Sequence, residues 1–403
     1  MREIRESPFT PGNPVPVDLF VGRKKQIQEI HNYLKQTIRG RQENIFLSGE
    51  RGIGKSSLAS FLKNLALKEN FLAIHSFLGG VNKPEELVKI IFEEILKEIK
   101  GDLKDKILNY FGKFRKYIRE VGILGVSMSF NPPESELKDL TAKFPEILAG
   151  LLAKIKEDKK SGFFIALDDI NGLAKDYSFA NWYKSFVDKI SVTYKDFPVF
   201  IMPIGLPEVR DALAQHQPSL LRIFRVIEID KLSNREVEEF FHKAFKKVQI
   251  GIEKEAIKLM VWFSSGLPLL MQEIGDAVFW EDSDDFIDLN DAQRGIITAS
   301  ERIGKKYLDP KVYRTIRSER YKSILRKLGE RPIGIAFTKR EIEEELDDNE
   351  KKVFHNFLTK MRELGIIISD KERGKGSYKF VNNLYPVYIY LESQRYKRKL
   401  KRS

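Results

Sequence analysis

Short apolar runs alternate with segments of helical spacing over the first part of the chain. The apolar runs have no polar face, as is typical of strands that are buried on both sides of a parallel sheet. They lie at residues 44–48, 71–77, 163–169, 199–204 and 226–229. Helical spacing occurs between them, at residues 57–66, 84–100, 136–156 and 179–194. This alternation predicts an α/β domain with a doubly wound parallel sheet, and a strand-like segment at 121–130 predicts an insertion without an assigned role.

The pattern becomes mainly helical after residue 231. Ser233 and Glu236 have the spacing of a capping box before a helix at 235–246. Farther on, the pattern predicts three helices: one at 313–328, a short one that Thr338 and Glu341 cap, and one at 349–364. Two strands follow, at 366–369 and 378–381. This order is typical of a winged helix-turn-helix. We therefore expect three domains, at residues 1–231, 232–308 and 309–403.

The octet that follows the first apolar run is Gly-Glu-Arg-Gly-Ile-Gly-Lys-Ser. It is a complete Walker A phosphate loop, and it lies between a strand and a helix N-terminus, where an anion is stabilised. Lys55 would contact the β- and γ-phosphates, and the Ser56 hydroxyl would bind Mg²⁺. We predict nucleotide contacts for Gly49, Glu50, Arg51, Gly52, Ile53, Gly54, Lys55, Ser56 and Ser57.

The apolar run that begins at Phe163 ends in two acids, Asp168 and Asp169. After a Walker A loop, such a strand is typical of a Walker B motif. Asp168 is placed to hold Mg²⁺ through water. Asp169 is placed to polarise the attacking water as a general base.

Composition narrows the class of protein further. The chain has 403 residues, of which 42% are hydrophobic and 32% charged, and it has no cysteine. Disulfides, thiolate zinc sites and cysteine nucleophiles are therefore excluded. The five histidines show no ligand spacing, so we expect no transition metal, and no apolar run approaches the ~20 residues that span a bilayer. A cytoplasmic protein is expected.

The whole excess of positive over negative charge lies in the last quarter of the chain. Residues 301–403 hold 27 Lys and Arg against 15 Asp and Glu, whereas the first 300 residues hold 43 of each sign. Such asymmetry points to a polyanion as the partner of this segment, and duplex DNA is the expected one. A solvated surface is the alternative interpretation.

Together these motifs resemble those of the AAA+ ATPases, in the archaeal and bacterial branch near the STAND group. The archaeal origin-recognition initiator ATPases share the same layout. The resemblance extends over roughly residues 8–395 and rests on Pro8-Phe9, Phe20-Val21-Gly22-Arg23 and the two Walker motifs. It implies a P-loop ATPase fold with a helical lid and a C-terminal winged helix, and ATP or ADP with Mg²⁺ as cofactors.

The resemblance also implies roles for residues outside the Walker motifs. Phe20, Val21 and Gly22 would lie beside the adenine. Pro268 occupies the proline position of the G-x-P motif of the STAND group, against the nucleotide. Arg222 and Arg225 stand where relatives place an arginine finger, which a neighbouring subunit supplies in a homo-oligomer; two ordinary surface arginines are the alternative.

Two departures from the family pattern concern hydrolysis: the first predicts that it is slow, and the second puts the sensor function in doubt. Most relatives have Asp-Glu at Walker B, whereas this chain has Asp-Asp, and the shorter Asp169 side chain would lie farther from the water. The strand that ends at Ile204 runs into Gly-Leu-Pro without the usual polar sensor residue.

The third helix of the predicted winged helix has an apolar stripe and an opposite polar face. The polar face and the turn between the two following strands carry the residues that we expect to contact DNA: Lys352, His355, Asn356, Thr359, Lys360, Lys371, Arg373 and Lys375. An acidic run at 341–350 adjoins this helix and would repel phosphate.

The sequence therefore supports an ATP-dependent switch that binds duplex DNA through its C-terminal domain. A signalling or defence ATPase, in which that domain contacts protein or holds the ATPase closed, is the alternative. A small-substrate kinase is a weaker third hypothesis, because kinases of this fold rarely carry a lid and a basic winged helix.

Overall fold

A computed structural model of the protein describes residues 6–121 and 127–400. The chain folds into two compact units. The sheet unit is Pro16–Asp230, and the helical unit combines Met1–Val15 with Lys231–Ser403. The chain therefore crosses from one unit to the other twice, after Val15 and after Asp230.

The sheet unit alternates helices and strands, as the hydrophobic pattern predicts. Its elements are α1 (Lys24–Ile38), β1 (Glu43–Ser48), α2 (Lys55–Lys68), β2 (Leu72–Phe77), α3 (Pro84–Glu98), α4 (Gly101–Tyr110), β3 (Ile118–Val121), β4 (Ser127–Phe130), α5 (Glu134–Ala142), α6 (Phe144–Glu157), β5 (Phe163–Asp168), α7 (Tyr177–Thr193), β6 (Val199–Gly205), α8 (Pro207–His216), α9 (Leu220–Ile223) and β7 (Arg225–Glu228).

Five of these strands form one parallel sheet in the order β2-β5-β6-β1-β7. Every residue of β1, β5 and β6 is buried, which explains why their sequences show no alternation. Because the strands are parallel, their carboxyl ends share one edge. The predicted doubly wound sheet is thus confirmed, and the phosphate loop after β1 lies at the same edge as the acids that end β5.

The predicted insertion at 121–130 lies partly outside the described residues. The described part contains the antiparallel pair β3 and β4. Phe130, the last residue of β4, is fully buried, and its ring lies 6.1 Å from Phe92 and 5.8 Å from Phe111. The hairpin therefore contributes an aromatic side chain to the core of the sheet unit.

The helical unit continues with α10 (Asn234–Lys247), β8 (Gly251–Ile252), α11 (Lys254–Ser264), α12 (Pro268–Glu281), β9 (Phe286–Ile287), α13 (Leu289–Ile303), α14 (Glu319–Glu330), β10 (Ala336–Thr338), α15 (Lys339–Glu343), α16 (Asp348–Glu363), β11 (Ile367–Ser369), β12 (Ser377–Phe380) and α17 (Leu384–Leu400). Both predicted capping boxes, at Ser233 and at Thr338, are present. The last three strands form an antiparallel sheet in the order β10-β12-β11.

Two boundaries in the helical unit differ from the prediction. The helix predicted at 313–328 begins only at Glu319, because the Ser318 hydroxyl caps it by accepting a hydrogen bond from the Tyr321 N–H. The residues before it, Gly304–Tyr313, continue α13 as a π-helix that contains Pro310. No element is predicted after the strand at 378–381, but Leu384–Leu400 form α17.

Helix α17 packs against the elements that precede it in the helical unit. The Tyr388 hydroxyl donates a hydrogen bond to Asp309 Oδ1 over 2.6 Å, and the Tyr388 ring lies where a side chain at Gly304 would be. Arg395 forms an ion pair with Glu301 of α13. The C-terminal elements and α10–α13 thus share one compact unit.

Phe9 joins the N-terminal segment to the core of the helical unit. It is 4% exposed, and its ring lies 5.2 Å from Phe245 and 5.8 Å from Phe240. A Cβ at Gly275 would come within 2.2 Å of this ring, so α12 makes room for Phe9 by lacking a side chain there. The segment that contains Phe9 is therefore part of this core, although more than two hundred residues separate it from α10.

Among the residues described, no helix combines the length and the apolar character needed to cross a bilayer.

We expect Phe9→Ala to destabilise the helical unit by about 3–5 kcal/mol, because it removes a buried ring from a packed aromatic cluster and leaves a cavity. Chemical denaturation of the full chain measures this change. Tyr177→Ala, at a position that is 65% exposed, is the matched control and should change stability by less than about 0.5–1 kcal/mol. Equal stability of the Phe9 variant and the wild type would show that the N-terminal segment is not part of the core.

Candidate nucleotide site and candidate DNA-binding face

The phosphate loop depends on glycine at several positions. Gly52 and Gly54 have φ values of 78° and 92°, and Gly54 is the residue before the first turn of α2. A Cβ at Gly49 would lie 2.8 Å from Ile229 and 2.9 Å from Ile53. Side chains at these positions would strain or displace the backbone, so the loop needs its glycines to turn tightly ahead of a helix N-terminus.

Lys55 is the first residue of α2 and reaches back over the loop. Its Nζ donates hydrogen bonds to the carbonyl oxygens of Gly49, over 2.7 Å, and of Glu50, over 2.9 Å. Burial lowers the pKa of Lys55 below its usual value, and the negative charges of Asp168, Glu50 and Asp169 counteract the burial. The ammonium group thus lies in a weakly solvated place close to both Walker B acids, where attraction to a phosphate is strong.

The Phe20-Val21-Gly22-Arg23 segment is held against the phosphate loop. The ring of Phe20 stacks on Phe61 of α2 at 4.8 Å. Arg23 is 7% exposed, has a left-handed backbone with φ of 61°, and donates a hydrogen bond from Nη2 to the Ile53 carbonyl oxygen over 3.0 Å. The structure thus brings Phe20, Val21 and Gly22 next to the Walker A helix. Arg23, which the sequence analysis names in this motif without assigning it a role, is a structural member of the site.

Asp168 and Asp169 occupy different environments at the end of β5. Asp168 is 3% exposed, and one of its oxygens is hydrogen-bonded to His75 on β2. Asp169 is exposed, has a left-handed backbone with φ of 61°, and accepts a hydrogen bond from the Asn171 side chain. The buried acid suits metal binding and the exposed acid suits contact with water, and both roles stay predictions.

Sequence reasoning missed His75. Its only local signal is a single titratable side chain inside the otherwise uncharged run at 71–77, and its partner is 93 residues away.

The oxygen donors of this site suit Mg²⁺. Ser56, the second residue of α2, offers a hydroxyl, and Asp168 offers a carboxylate. Mg²⁺ prefers hard oxygen ligands of this kind. A protein-bound Mg²⁺ also keeps several waters and binds phosphate oxygens. Across residues 6–121 and 127–400, no three or more His, Asp or Glu side chains gather as a metal site. A magnesium ion held together with a nucleotide does not require such a cluster.

The two candidate finger arginines lie away from the phosphate loop of their own sheet. Arg225 begins β7 in register with Ile45, three residues before the edge that carries the loop. Its Nε lies 3.2 Å from a carboxylate oxygen of buried Glu43, and its guanidinium group lies 4.8 Å from the Tyr33 ring centre. Arg222, on α9, is exposed. Arg225 therefore has structural partners within the sheet unit, whereas Arg222 is exposed, and a finger role for either arginine stays a prediction.

Pro268 is the first residue of α12 in the helical unit, a position where its missing N–H costs no hydrogen bond. Its predicted contact with nucleotide stays a prediction.

The outer face of α16 is open to solvent. Lys352, His355, Asn356 and Lys360 are exposed and Thr359 is half-buried, whereas Phe354 and Phe357 are buried in the core. A groove of about 390 Å³ runs beside this face, lined among others by Thr315, Arg317, Asn356, Thr359 and Lys360. The turn between β11 and β12 exposes Lys371, Arg373 and Lys375. The cationic residues predicted to contact DNA are therefore accessible within the helical unit.

Acidic side chains of the run beside α16 cap helices or form ion pairs. The carboxylate of Asp347 accepts the backbone N–H groups of Asn349 and Glu350, and these hydrogen bonds lower the pKa of Asp347. Glu350 is buried and accepts a hydrogen bond from Lys327 over 2.6 Å. Other ion pairs join Glu345 to Arg331, Glu343 to Lys339 and Glu344 to Arg340. The predicted repulsion of phosphate by these acids is thus reduced by their partners.

Comparisons with known proteins agree with this arrangement. The family described as AAA ATPase domain matches residues 19–182. An uncharacterized HTH-type transcriptional regulator of Methanocaldococcus jannaschii is 22% identical over 262 residues, which cover 62% of this chain and 60% of that protein. The match thus spans less than two thirds of that relative's length.

Two archaeal structures have a similar fold. The Walker-type ATPase of Pyrococcus abyssi is 16% identical with a TM-score of 0.53, over 92% of this chain and 96% of that chain. The ORC2 protein of Aeropyrum pernix, in its ADPNP-ADP complexes, is 10% identical with a TM-score of 0.58, over 99% of this chain and 98% of that chain.

The Walker A loop after β1, the acids after β5 and the family match all lie within residues 19–182. Over this part of the sheet unit the chain is similar to the family described as AAA ATPase domain.

Proposed function

We propose that this protein is a magnesium-dependent ATPase that hydrolyses ATP slowly and acts as a nucleotide-controlled switch on duplex DNA. The observation that carries the ATPase part is the convergence of Lys55 with Asp168 and Asp169 at one edge of the sheet. One half-buried cation, one buried carboxylate and one exposed carboxylate are the groups needed to hold a triphosphate and activate water.

Each group has a distinct task in this proposal. Lys55 exchanges its hydrogen bonds to the Gly49 and Glu50 carbonyl oxygens for phosphate oxygens, and the loop N–H groups bind the same phosphates. Ser56 and Asp168 hold Mg²⁺, which, when bound, neutralises charge on the transferred phosphoryl group. Asp169 orients and deprotonates the attacking water.

The local geometry of Asp169 supports slow turnover. Its side chain is one methylene shorter than glutamate, and its carboxylate is engaged by Asn171. A Cβ at Gly79 would lie 3.5 Å from Asp169 Oδ2, so open space next to Gly79 is where water can approach. A finger such as Arg222, supplied by a neighbouring copy, would accelerate the reaction in a homo-oligomer.

The connectivity of the chain supports a switch. The segment that contains Phe9 belongs to the helical unit, and the first crossing into the sheet unit comes five residues before Phe20. A nucleotide beside Phe20, Val21 and Gly22 would therefore act close to a connection between the units. The predicted nucleotide contact of Pro268, on α12, would make the helical unit respond to nucleotide binding.

The C-terminal part of the helical unit supports a DNA partner. Its helices α14, α15 and α16 and its antiparallel sheet follow the order of a winged helix, with α16 as recognition helix and the β11–β12 turn as wing. The exposed cations on α16 and on this turn would contact phosphates and base edges. Similarity to an HTH-type regulator is consistent with this assignment. Such a protein would act in the cytoplasm.

One observation favours a second candidate function. Helix α17 is fixed to α13 through Arg395 and Glu301, and to the π-helix through Tyr388 and Asp309. A C-terminal domain held in this way could serve as a regulatory module of a signalling or defence ATPase. Binding of DNA by the full chain separates the two candidates.

Lys55→Ala is expected to abolish detectable ATP binding, because it removes the charge that faces the phosphates. Isothermal titration calorimetry with ATP and Mg²⁺ measures the affinity. Lys68→Ala, an exposed lysine at the end of the same helix, is the control and should bind as the wild type does. Wild-type affinity in the Lys55 variant would remove the basis of the proposal.

Asp169→Asn is expected to lower kcat by about 10²-fold or more while ATP affinity changes less than threefold, because it removes the base and keeps the shape. Phosphate release at saturating ATP gives kcat, and titration gives the affinity. The comparison variant is Asp168→Asn, which should instead weaken the effect of Mg²⁺ on nucleotide binding. An Asp169 variant with unchanged kcat would show that the exposed acid is not the base.

The double variant Lys352→Ala and Lys360→Ala is expected to weaken duplex binding and to reduce the slope of log affinity against log salt by about 1–2. Fluorescence anisotropy with labelled duplex, ATP and Mg²⁺ at several salt concentrations measures both. The control, Lys25→Ala with Lys35→Ala on α1, removes the same charge from exposed positions of the sheet unit. No binding by the wild type at low salt would favour the regulatory module instead.

A further inference from the structure

A buried histidine outside every recognised motif holds the carboxylate of Asp168. His75 Nε2 lies 3.0 Å from Asp168 Oδ2, and the two side chains are 5% and 4% exposed. The histidine comes from β2, the edge strand beside β5. A hydrogen bond between two buried groups, shielded from water, fixes both side chains.

The register of the sheet explains why these residues meet. Phe77 is in register with Asp168, and His75 with Ala166, so both His75 and Asp168 point to the face of the sheet that α2 covers. On that face His75 Nδ1 lies 3.3 Å from the Ser60 hydroxyl, one turn beyond Ser56 in α2. The imidazole thus connects the Walker A helix to the Walker B strand.

The chemistry of the three groups assigns the protons. An ionised carboxylate can only accept, so Nε2 carries the hydrogen that is donated to Asp168. In the neutral imidazole, Nδ1 then accepts the Ser60 hydroxyl hydrogen. On the other side of β5, the residue of β6 in register with Asp168 is Ile204, which has no side-chain donor.

An apolar residue at position 75 would satisfy the packing of this strand with less desolvation of polar groups. The presence of a polar histidine here therefore indicates that the Asp168 carboxylate needs a hydrogen-bond donor. We propose that His75 is a positioning residue of the magnesium–nucleotide site. It engages Oδ2 of Asp168 and so orients the carboxylate towards the metal, while Ser60 fixes the imidazole. The inference rests on the proposed function, because it concerns how the same site takes up Mg²⁺ with a nucleotide.

Two variants whose amide side chains differ only in length test this inference. The glutamine amide nitrogen of His75→Gln can reach the place of Nε2, whereas the amide nitrogen of His75→Asn ends near the place of Nδ1. The measured quantity is the magnesium enhancement, the ratio of the ADP dissociation constants in EDTA and in Mg²⁺, from calorimetry on the full chain.

The enhancement should stay within threefold of the wild type in His75→Gln and fall about tenfold or more in His75→Asn, as loss of a partner behind a metal ligand typically costs. The affinity for ADP in EDTA should be unchanged in both variants. A variant that merely damaged the structure would lose this affinity as well. Equal enhancement in the wild type and in both variants would overturn the inference.

Ser60→Ala keeps the imidazole and removes one hydrogen bond, so it tests the inference even if a His75 variant fails to fold. We expect the enhancement to fall about two- to tenfold, the typical effect of one hydrogen bond. An unchanged enhancement would contradict the role of Ser60 and of the fixed imidazole. Wild-type protein that binds no ADP, or binds it equally with and without Mg²⁺, would instead contradict the proposed function itself.

Discussion

The parallel register of the central sheet is the constraint on which the nucleotide site depends. It places Asp168 next to Phe77 on one side and Ile204 on the other, and it places Ser48, the last residue before the phosphate loop, next to Gly205. A slip of one residue in β5 would turn Asp168 to the opposite face. The side chains that β5 buries on both faces are closely packed and oppose such a slip, so the packing of the apolar strands helps to determine where the charged groups lie.

Residues that act through local patterns could be predicted from the sequence. The strands were visible as apolar runs, the phosphate loop as a complete motif, and the caps at Ser233 and Thr338 as paired residues three apart. Residues that act through distant partners could not. Arg23 contacts a carbonyl oxygen 30 residues away and His75 a carboxylate 93 residues away. Neither separation leaves a periodic signal, because sheet register and helix packing create both contacts.

The C-terminal helix shows the same limit for secondary structure. The residues from Leu384 to Ile389 are buried whichever way they point, and the residues near Leu400 are largely basic and exposed. A helix that is apolar all round at one end and charged at the other has no amphipathic period to detect. Its position is determined by tertiary contacts, such as that of Tyr388 with Gly304, which the sequence does not reveal.

The two candidate roles of the C-terminal domain use different surfaces. The contacts of α17 with α13 and the π-helix involve Tyr388 and Arg395, whereas the cationic face of α16 is exposed. The acids beside α16 are held in caps and ion pairs, so the cations of that face keep their charge available for a polyanion. Packing of this domain within the helical unit therefore does not compete with DNA for the same residues. A domain that is fixed at one surface and open at the other can transmit a change in the helical unit to a bound duplex, as the proposed switch requires.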